Sequence, residues 1–241
     1  MKSRLLSTVG VDAEVGDVGR RPHVFLPSPW SGDYLRVDQS VRHHLERVLR
    51  LQAGDPVTYT DGAGLTGSGF FEGDGVTRGP EERHPEQCRE IVVAVAPPRS
   101  PRRARMIVEK LAELGVDRLV WLDAIRGSAS PPRPERVRSW SIAALEQSRG
   151  IRLLDVQGPL PVRTEWPGHV VFVADRDGSS PQQALEAWRG AAVILVGPEG
   201  GFEEGEIDPT AIPVSFGPGV LRVETAVLAA GVLFAAARGC L

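Results

Sequence analysis

The apolar positions change rhythm once along the chain. From His23 to Val95 they come in short bursts separated by turn residues. His23-Val24-Phe25-Leu26 ends at Pro27, and Pro56 to Thr60 ends at the turn dipeptide Asp61-Gly62. Gly67–Glu72 and Glu90–Ala96 are two further strand candidates. One helix interrupts them near Gln39–Leu51, with His44, Val48 and Leu51 on one face and Gly54 as its stop. Several short strands with one helix predict a small β-barrel over residues 21–96. Residues 1–20 carry no period and read as an N-terminal extension.

Pro97-Pro98-Arg99-Ser100-Pro101 breaks this pattern and reads as a linker. Beyond it the elements lengthen. A helix is expected over Arg102–Leu114, stopped by Gly115, and a strand over Arg118–Leu122. A second helix is expected over Pro134–Ser148. Val170–Ala174 and Ala192–Val196 are continuous apolar runs, the mark of strands buried on both faces. Pro181–Trp188 reads as a helix between them, and Ile212–Phe216 as a short strand. The segment Glu224–Arg238 is apolar nearly all round, so it predicts a helix buried in the core or against another subunit. Alternating strands and helices over residues 97–241 predict an α/β domain with a mainly parallel sheet.

Composition adds limits. Hydrophobic residues are 41% and charged residues 24% of the 241, which suits a globular chain. No run of about 18 apolar residues exists, so no membrane span is expected, and Met1–Arg20 lacks the apolar stretch of a secretory signal. Cys88 and Cys240 read as free thiols in a reducing cytoplasm, and no metal site is expected. His43 and His44 are adjacent and point apart on a helix; one is expected to pack inside. Trp121, Trp140 and Trp188 read as core. The net charge is −3, but residues 91–160 hold 12 basic and 7 acidic side chains, a net of +5. That segment is either a solvated helix face or the footprint of an anionic partner such as nucleic acid.

Two loops carry the chemistry. Val196-Gly197-Pro198-Glu199-Gly200-Gly201-Phe202 directly follows a buried strand, and Glu203 to Ile207 after it reads as a helix start. Parallel sheets bind ligands at the carboxyl ends of their strands. The loop is therefore either a ligand cradle of bare backbone groups or a plain connecting turn. No Lys-Ser/Thr pair follows, so it is not a phosphate loop, nor is it a Gly-x-Gly-x-x-Gly fingerprint. The second loop, Phe216-Gly217-Pro218-Gly219-Val220-Leu221-Arg222-Val223-Glu224-Thr225-Ala226, again leads a short strand into a helix. Thr225 or Glu224 is expected to cap that helix, and Arg222 and Glu224 to form an ion pair or an active polar pair.

Gly-Pro-Glu-Gly-Gly-Phe followed by Leu-Arg-x-Glu-Thr-Ala resembles the SPOUT superfamily of methyltransferases. More narrowly it is similar to the bacterial 16S ribosomal RNA uridine-N3 methyltransferases of the RsmE type. Arg47-Val48-Leu49-Arg50-Leu51 with Gly54-Asp55 and Asp61-Gly62, Lys110 with Glu113-Leu114-Gly115-Val116, and Glu146-Gln147-Ser148 extend the resemblance over nearly the whole chain after residue 21. Two details depart from the family pattern. A basic residue before the first catalytic-domain helix is Ser100 here, with Arg99, Arg102 and Arg103 nearby. The family's Glu-Gln-Ser-Gly-Arg appears as Glu146-Gln147-Ser148-Arg149-Gly150.

The resemblance implies an α/β SPOUT domain with a trefoil knot in residues 97–241 and a PUA-like β-barrel in residues 21–96. It implies a homodimer with the last helix at the interface and S-adenosylmethionine as cofactor. The matching cofactor positions are Val196, Gly197, Pro198, Glu199, Gly200, Gly201, Phe216, Gly217, Leu221, Arg222, Thr225 and Ala226. Arg222 and Glu224 are the catalytic candidates. The implied partner is 16S ribosomal RNA or the small ribosomal subunit, met in the cytoplasm by Arg47, Arg50, Arg99, Arg102, Arg103, Arg126, Arg149 and Arg152. The competing readings are a SPOUT enzyme acting on another base or a ribose 2′-hydroxyl, and a non-catalytic RNA-binding assembly factor.

Overall fold

The computed structural model describes residues 21–239; the N-terminal extension and Cys240 lie outside the described residues. The N-terminal part builds two small sheets around one core. Strands β1 (His23–Phe25), β3 (Pro56–Thr60), β4 (Leu65–Phe70) and β6 (Glu81–Arg83) pair in that order, with β1 parallel to β3. Strands β2 (Tyr34–Arg36) and β5 (Gly75–Thr77) form a separate antiparallel pair. Val24, Leu35, Leu45, Val57, Tyr59, Phe71 and Val76 fill the space between, and Trp30 meets Tyr59 edge-on at 5.0 Å.

The expected helix after residue 39 is real but changes type. Helix α1 (Gln39–His43) runs into a π-helical turn over His44–Val48, where the Leu49 N–H reaches the His44 carbonyl at 3.0 Å. One extra residue per turn shifts the helix face. Leu45 is therefore the buried residue, and Val48, expected on one face with His44 and Leu51, is 62% exposed. Neither His43 nor His44 is buried; His44 instead lies 3.6 Å from Glu146.

The C-terminal part is one six-stranded sheet in the order β12-β10-β11-β7-β8-β9, parallel throughout. Its strands are β7 (Ile91–Val95), β8 (Arg118–Asp123), β9 (Asp155–Pro161), β10 (His169–Ser179), β11 (Ala191–Val196) and β12 (Ile212–Val214). Strand β7 stands between β11 and β8 in this sheet, so the segment Glu90–Ala96 closes no barrel, and the expected boundary at residue 97 falls too late. A run of five buried residues, Ile91–Val95, needs apolar cover on both faces, which only a sheet centre offers. Pro97 and Pro98 are accordingly buried at the end of β7 rather than part of a free linker.

Alternate residues of each strand face two cores. Ile91, Val93 and Val95 face the layer of α2 (Pro101–Glu113), α3 (Pro134–Ser148), α4 (Pro181–Ala187) and α5 (Val223–Arg238). Helix α2 meets it through Ala104, Ile107, Val108 and Leu111, the i, i+3, i+4, i+7 stripe. Phe234 of α5 packs against Phe172 and Trp188 at about 5 Å between ring centres. Val92, Ala94, Val120, Leu122, Val193 and Leu195 face the other way and are covered by loop residues such as Trp166, Phe202 and Ile207. Among the described residues no helix is long and apolar enough to cross a membrane.

The two parts are joined by the C-terminal end of α3. Arg149 occupies the left-handed conformation at φ 58, a position that favours glycine. Its guanidinium donates to the Arg21 carbonyl at 2.8 Å and to Thr58 Oγ1 at 3.2 Å. Arg152 donates to the carbonyls of Ala63, His84 and Pro85. Glu146 accepts from the Phe25 N–H, and burial pushes its carboxyl above the usual range.

His23 completes the joint, contacting Thr58 Oγ1 with Nδ1 and the Gly150 carbonyl with Nε2. A neutral ring with the proton on Nε2 satisfies both, and burial lowers the His23 pKa below 6.5, helped by Arg149. The folded state thus prefers the neutral ring. Its stabilising share is complete above pH 6.5 and is lost as the pH falls through the depressed value. The stability advantage of the native protein over His23→Gln is therefore expected to shrink between pH 7.5 and pH 5.5 in urea titrations. A constant difference would show that His23 keeps its proton state on unfolding.

Candidate active site

The two glycine loops sit side by side at the carboxyl edge of the sheet, because β11 and β12 flank β10. With β10 they enclose a cleft of about 510 Å³. The β10–β12 ladder is broken between Ala174 and Ser179, which frees Asp175 and Arg176 to line the cleft. Val173, Val196, Val214, Phe216, Leu221 and Ala226 form apolar walls, while Asp175, Glu199 and Glu204 supply carboxylates. A Cβ placed on Gly217 or Gly219 would meet no protein atom within 4 Å, so these backbones face open space. Gly201 needs its φ of +70, which accounts for that glycine.

A brace behind the first loop holds its shape. Glu206, 7% exposed, accepts from the Ile125 N–H and the Glu203 N–H, both at 2.7 Å. The segment from Glu203 to Ile207, expected to start a helix, is instead a turn wrapped around that carboxylate. Gly205 has a φ of +75 there, and Arg163 donates to its carbonyl. Arg126, from the loop after β8, donates to the Gly200 carbonyl and to Glu203 Oε1, each at 2.7 Å.

A second brace links the loops to α2. Arg103 lies 3.2 Å from Glu224 Oε1 and 3.8 Å from Glu199 Oε1. Glu224 is buried, and its Oε2 makes no hydrogen bond. The expected pairing of Glu224 with Arg222 is replaced by this longer-range one. Arg222 is exposed and serves as the N-cap residue of α5 with no side-chain cap bond, and neither Thr225 nor Glu224 caps the helix.

Nine of the expected cofactor residues line the cleft: Val196, Gly197, Pro198, Glu199, Gly201, Phe216, Gly217, Leu221 and Ala226. Gly200, Arg222 and Thr225 do not; a Cβ on Gly200 would meet Arg126 at 3.3 Å instead. Of the arginines expected to meet RNA, Arg47, Arg50, Arg99 and Arg102 are exposed. Arg103 and Arg126 brace the loops, and Arg149 and Arg152 join the two parts of the chain. Val173 to Arg176, Val214 and Ser215 line the cleft without having been singled out. The apolar run ending at Asp175 was the signal for the first group, since its strand ends at the same sheet edge. Glu206 carried none, because one acid among three in a glycine-rich turn shows no periodicity. Trp140, expected in the core, is only partly buried. Cys88 is exposed and free, and no cluster of three or more metal-ligating side chains occurs among the described residues.

A parallel α/β sheet with a cleft between two glycine loops at its carboxyl edge is the place where proteins of this architecture take ligands. The particular family follows from comparison. The model of the RNA methyltransferase domain family matches residues 84–235, and the chain belongs to that family. A probable rRNA-methyltransferase from Porphyromonas gingivalis is 27% identical, with a TM-score of 0.77 over 91% of this chain and 99% of that one. The ribosomal RNA small subunit methyltransferase E of Neisseria gonorrhoeae, solved bound to S-adenosyl methionine, is 24% identical, with a TM-score of 0.78 over 89% and 96%. A putative methyltransferase from Legionella pneumophila, solved with bound SAM, is also 24% identical, with a TM-score of 0.79 over 90% and 98%. At that identity the last two show likeness of fold. No curated protein matches the chain by sequence.

Proposed function

We propose that this protein transfers the methyl group of S-adenosylmethionine to N3 of a uridine in the 16S ribosomal RNA of the small subunit. The cleft between the two glycine loops carries the reading, in a chain of the RNA methyltransferase family. Its apolar walls at Val196, Phe216, Leu221 and Ala226 suit an adenine ring. The open backbone at Gly217 and Gly219 suits close approach, and Asp175, Glu199 and Glu204 suit a ribose and a cationic ligand. When bound, the cofactor supplies an electrophilic methyl group on a sulfonium.

The protein must do the rest. Uracil N3 carries a proton, so the site needs alignment, a proton acceptor and positive charge near O2 and O4. Arg222, exposed beside the cleft-lining Leu221, supplies that charge at the mouth. Glu224 has one oxygen held by Arg103 and the other buried without a partner, between the cleft-lining Val223 and Ala226, and we assign the role of proton acceptor to this carboxylate. The wider reading is a SPOUT trefoil-knot domain with a PUA-like N-terminal barrel, working in the cytoplasm as a homodimer. Met106 on α2 and Val232 on α5 are exposed apolar residues that support the shared face.

Calorimetric titration with S-adenosylmethionine tests the site. Gly217→Trp, which fills open space rather than displacing protein, is expected to abolish binding. Small subunits incubated with the cofactor are expected to gain N3-methyluridine by mass mapping of 16S RNA. Methyl on another base or a ribose would move the protein to another branch of the family. Absence of cofactor binding, with and without subunits, would leave a non-catalytic assembly factor.

A further inference from the structure

A second and larger cleft, of about 840 Å³, opens beside the first, at the same edge of the sheet. It lies between the loop after β7 and the loop after β8, and the first turns of α2 and α3 border it. Arg99, Arg133 and Arg136 line it together with Trp140, Ser128 and Glu135. Arg99 is held by Ser128 at 2.7 Å, and Arg136 lies over the Trp140 ring at 6.0 Å.

The state of these cations separates them from the others nearby. Arg103, Arg118 and Arg126 are each paired with carboxylates. Arg99, Arg133 and Arg136 have no ion-pair partner among the described residues, and the single acid in the cleft is Glu135. The N-termini of α2 and α3 both start at this rim without side-chain caps, and they add positive potential. Three unpaired guanidiniums, two held in place by neighbours, make a seat for a chain of phosphates rather than for a single small anion. Its position fits as well. The first turn of α2 contributes Ala104 to this cleft, while Arg103 on the same turn reaches Glu199 and Glu224 of the cofactor side.

We infer that this cleft takes the phosphodiester backbone of single-stranded RNA flanking the nucleotide to be methylated. Arg99, Arg133 and Arg136 bind the phosphates, and Trp140 holds the Arg136 guanidinium in place. The inference rests on the RNA-methylating reading above, and the two fail separately. Methyl transfer by the native protein tests that reading; RNA affinity of the variants tests this cleft.

The test compares the native protein with Arg133→Ala/Arg136→Ala and with Arg189→Ala, an exposed arginine in the connection that leads into β11, at the opposite end of the sheet. Binding of a labelled 16S ribosomal RNA transcript is measured over a series of salt concentrations. The double variant is expected to bind about tenfold or more weakly, and its plot of log affinity against log salt to flatten by about 1.4. Its S-adenosylmethionine affinity and melting temperature are expected to match the native protein. Arg189→Ala is expected to keep native RNA affinity. Unchanged affinity and slope in the double variant, an equal loss in Arg189→Ala, or no binding by the native protein would each overturn the proposal.

Discussion

Replacing Glu224 by Gln is expected to lower turnover about 100-fold or more, the usual share of a positioned acid or base. The substitution keeps the shape of the side chain. An amide oxygen can still accept from Arg103, which now lies 3.2 Å from Oε1. What disappears is the capacity of the unpartnered Oε2 to take a proton. S-adenosylmethionine affinity is expected to change less than threefold, because Val223 and Ala226 line the cleft between the glycine loops while Glu224 does not. The pH profile of turnover discriminates the roles. A proton acceptor gives an acidic limb that the variant lacks. If Glu224 only holds Arg103, Arg103→Ala should reproduce the loss, and both variants should keep the native profile.

Asp117→Ala is expected to be the most destabilising single change, at about 3–5 kcal/mol. Asp117 precedes β8 and accepts from the Ile91 N–H at 2.8 Å with Oδ2. It also pairs with Arg238 at the end of α5, at 2.9 Å, and Arg238 donates in addition to the Gly115 carbonyl at 2.6 Å. The Arg238 side chain is 7% exposed, so removal of the acid strands a guanidinium out of water. For a chain of this size the loss corresponds to a fall in melting temperature of roughly 10 °C. Because the pair ties the last helix to two central strands, the cleft between the glycine loops at the far end of the sheet is expected to loosen with it. A change of less than about 1 kcal/mol in urea unfolding would show that water replaces the pair at little cost.

The parts of the fold that sequence pattern reached were those with one dominant local signal. Helix α3 was legible from Pro134 at its first position and the periodic residues after it, and α5 from an apolar run ending at Gly239. The two glycine loops were legible because each follows an apolar strand. The pattern failed where several partners share one segment. The short strands β2, β5 and β6 have no residue alternation long enough to show, and β9 looks like a polar loop because it is an exposed edge. Glu90–Ala96 was visible as a strand, but its sheet was not, since pairing partners lie a hundred residues apart.

The site divides in the same way. Residue types and spacing alone determined that two glycine loops each lead a strand onward at the sheet's carboxyl edge, that the middle segment carries excess positive charge, and that the last helix is buried. Only the tertiary structure decided which cations are free. Arg99, Arg102, Arg103, Arg126, Arg149 and Arg152 are alike in sequence, all exposed-looking arginines in a basic stretch. Folding turns Arg149 and Arg152 into joints between the two parts and Arg126 into a clamp on Gly200, leaving Arg99 in an open cleft with Arg133 and Arg136. A local pattern records whether a side chain is charged. Whether that charge is neutralised depends on a carboxylate or carbonyl brought near by strand order, and strand order is set by the burial of the whole sheet rather than by any one segment.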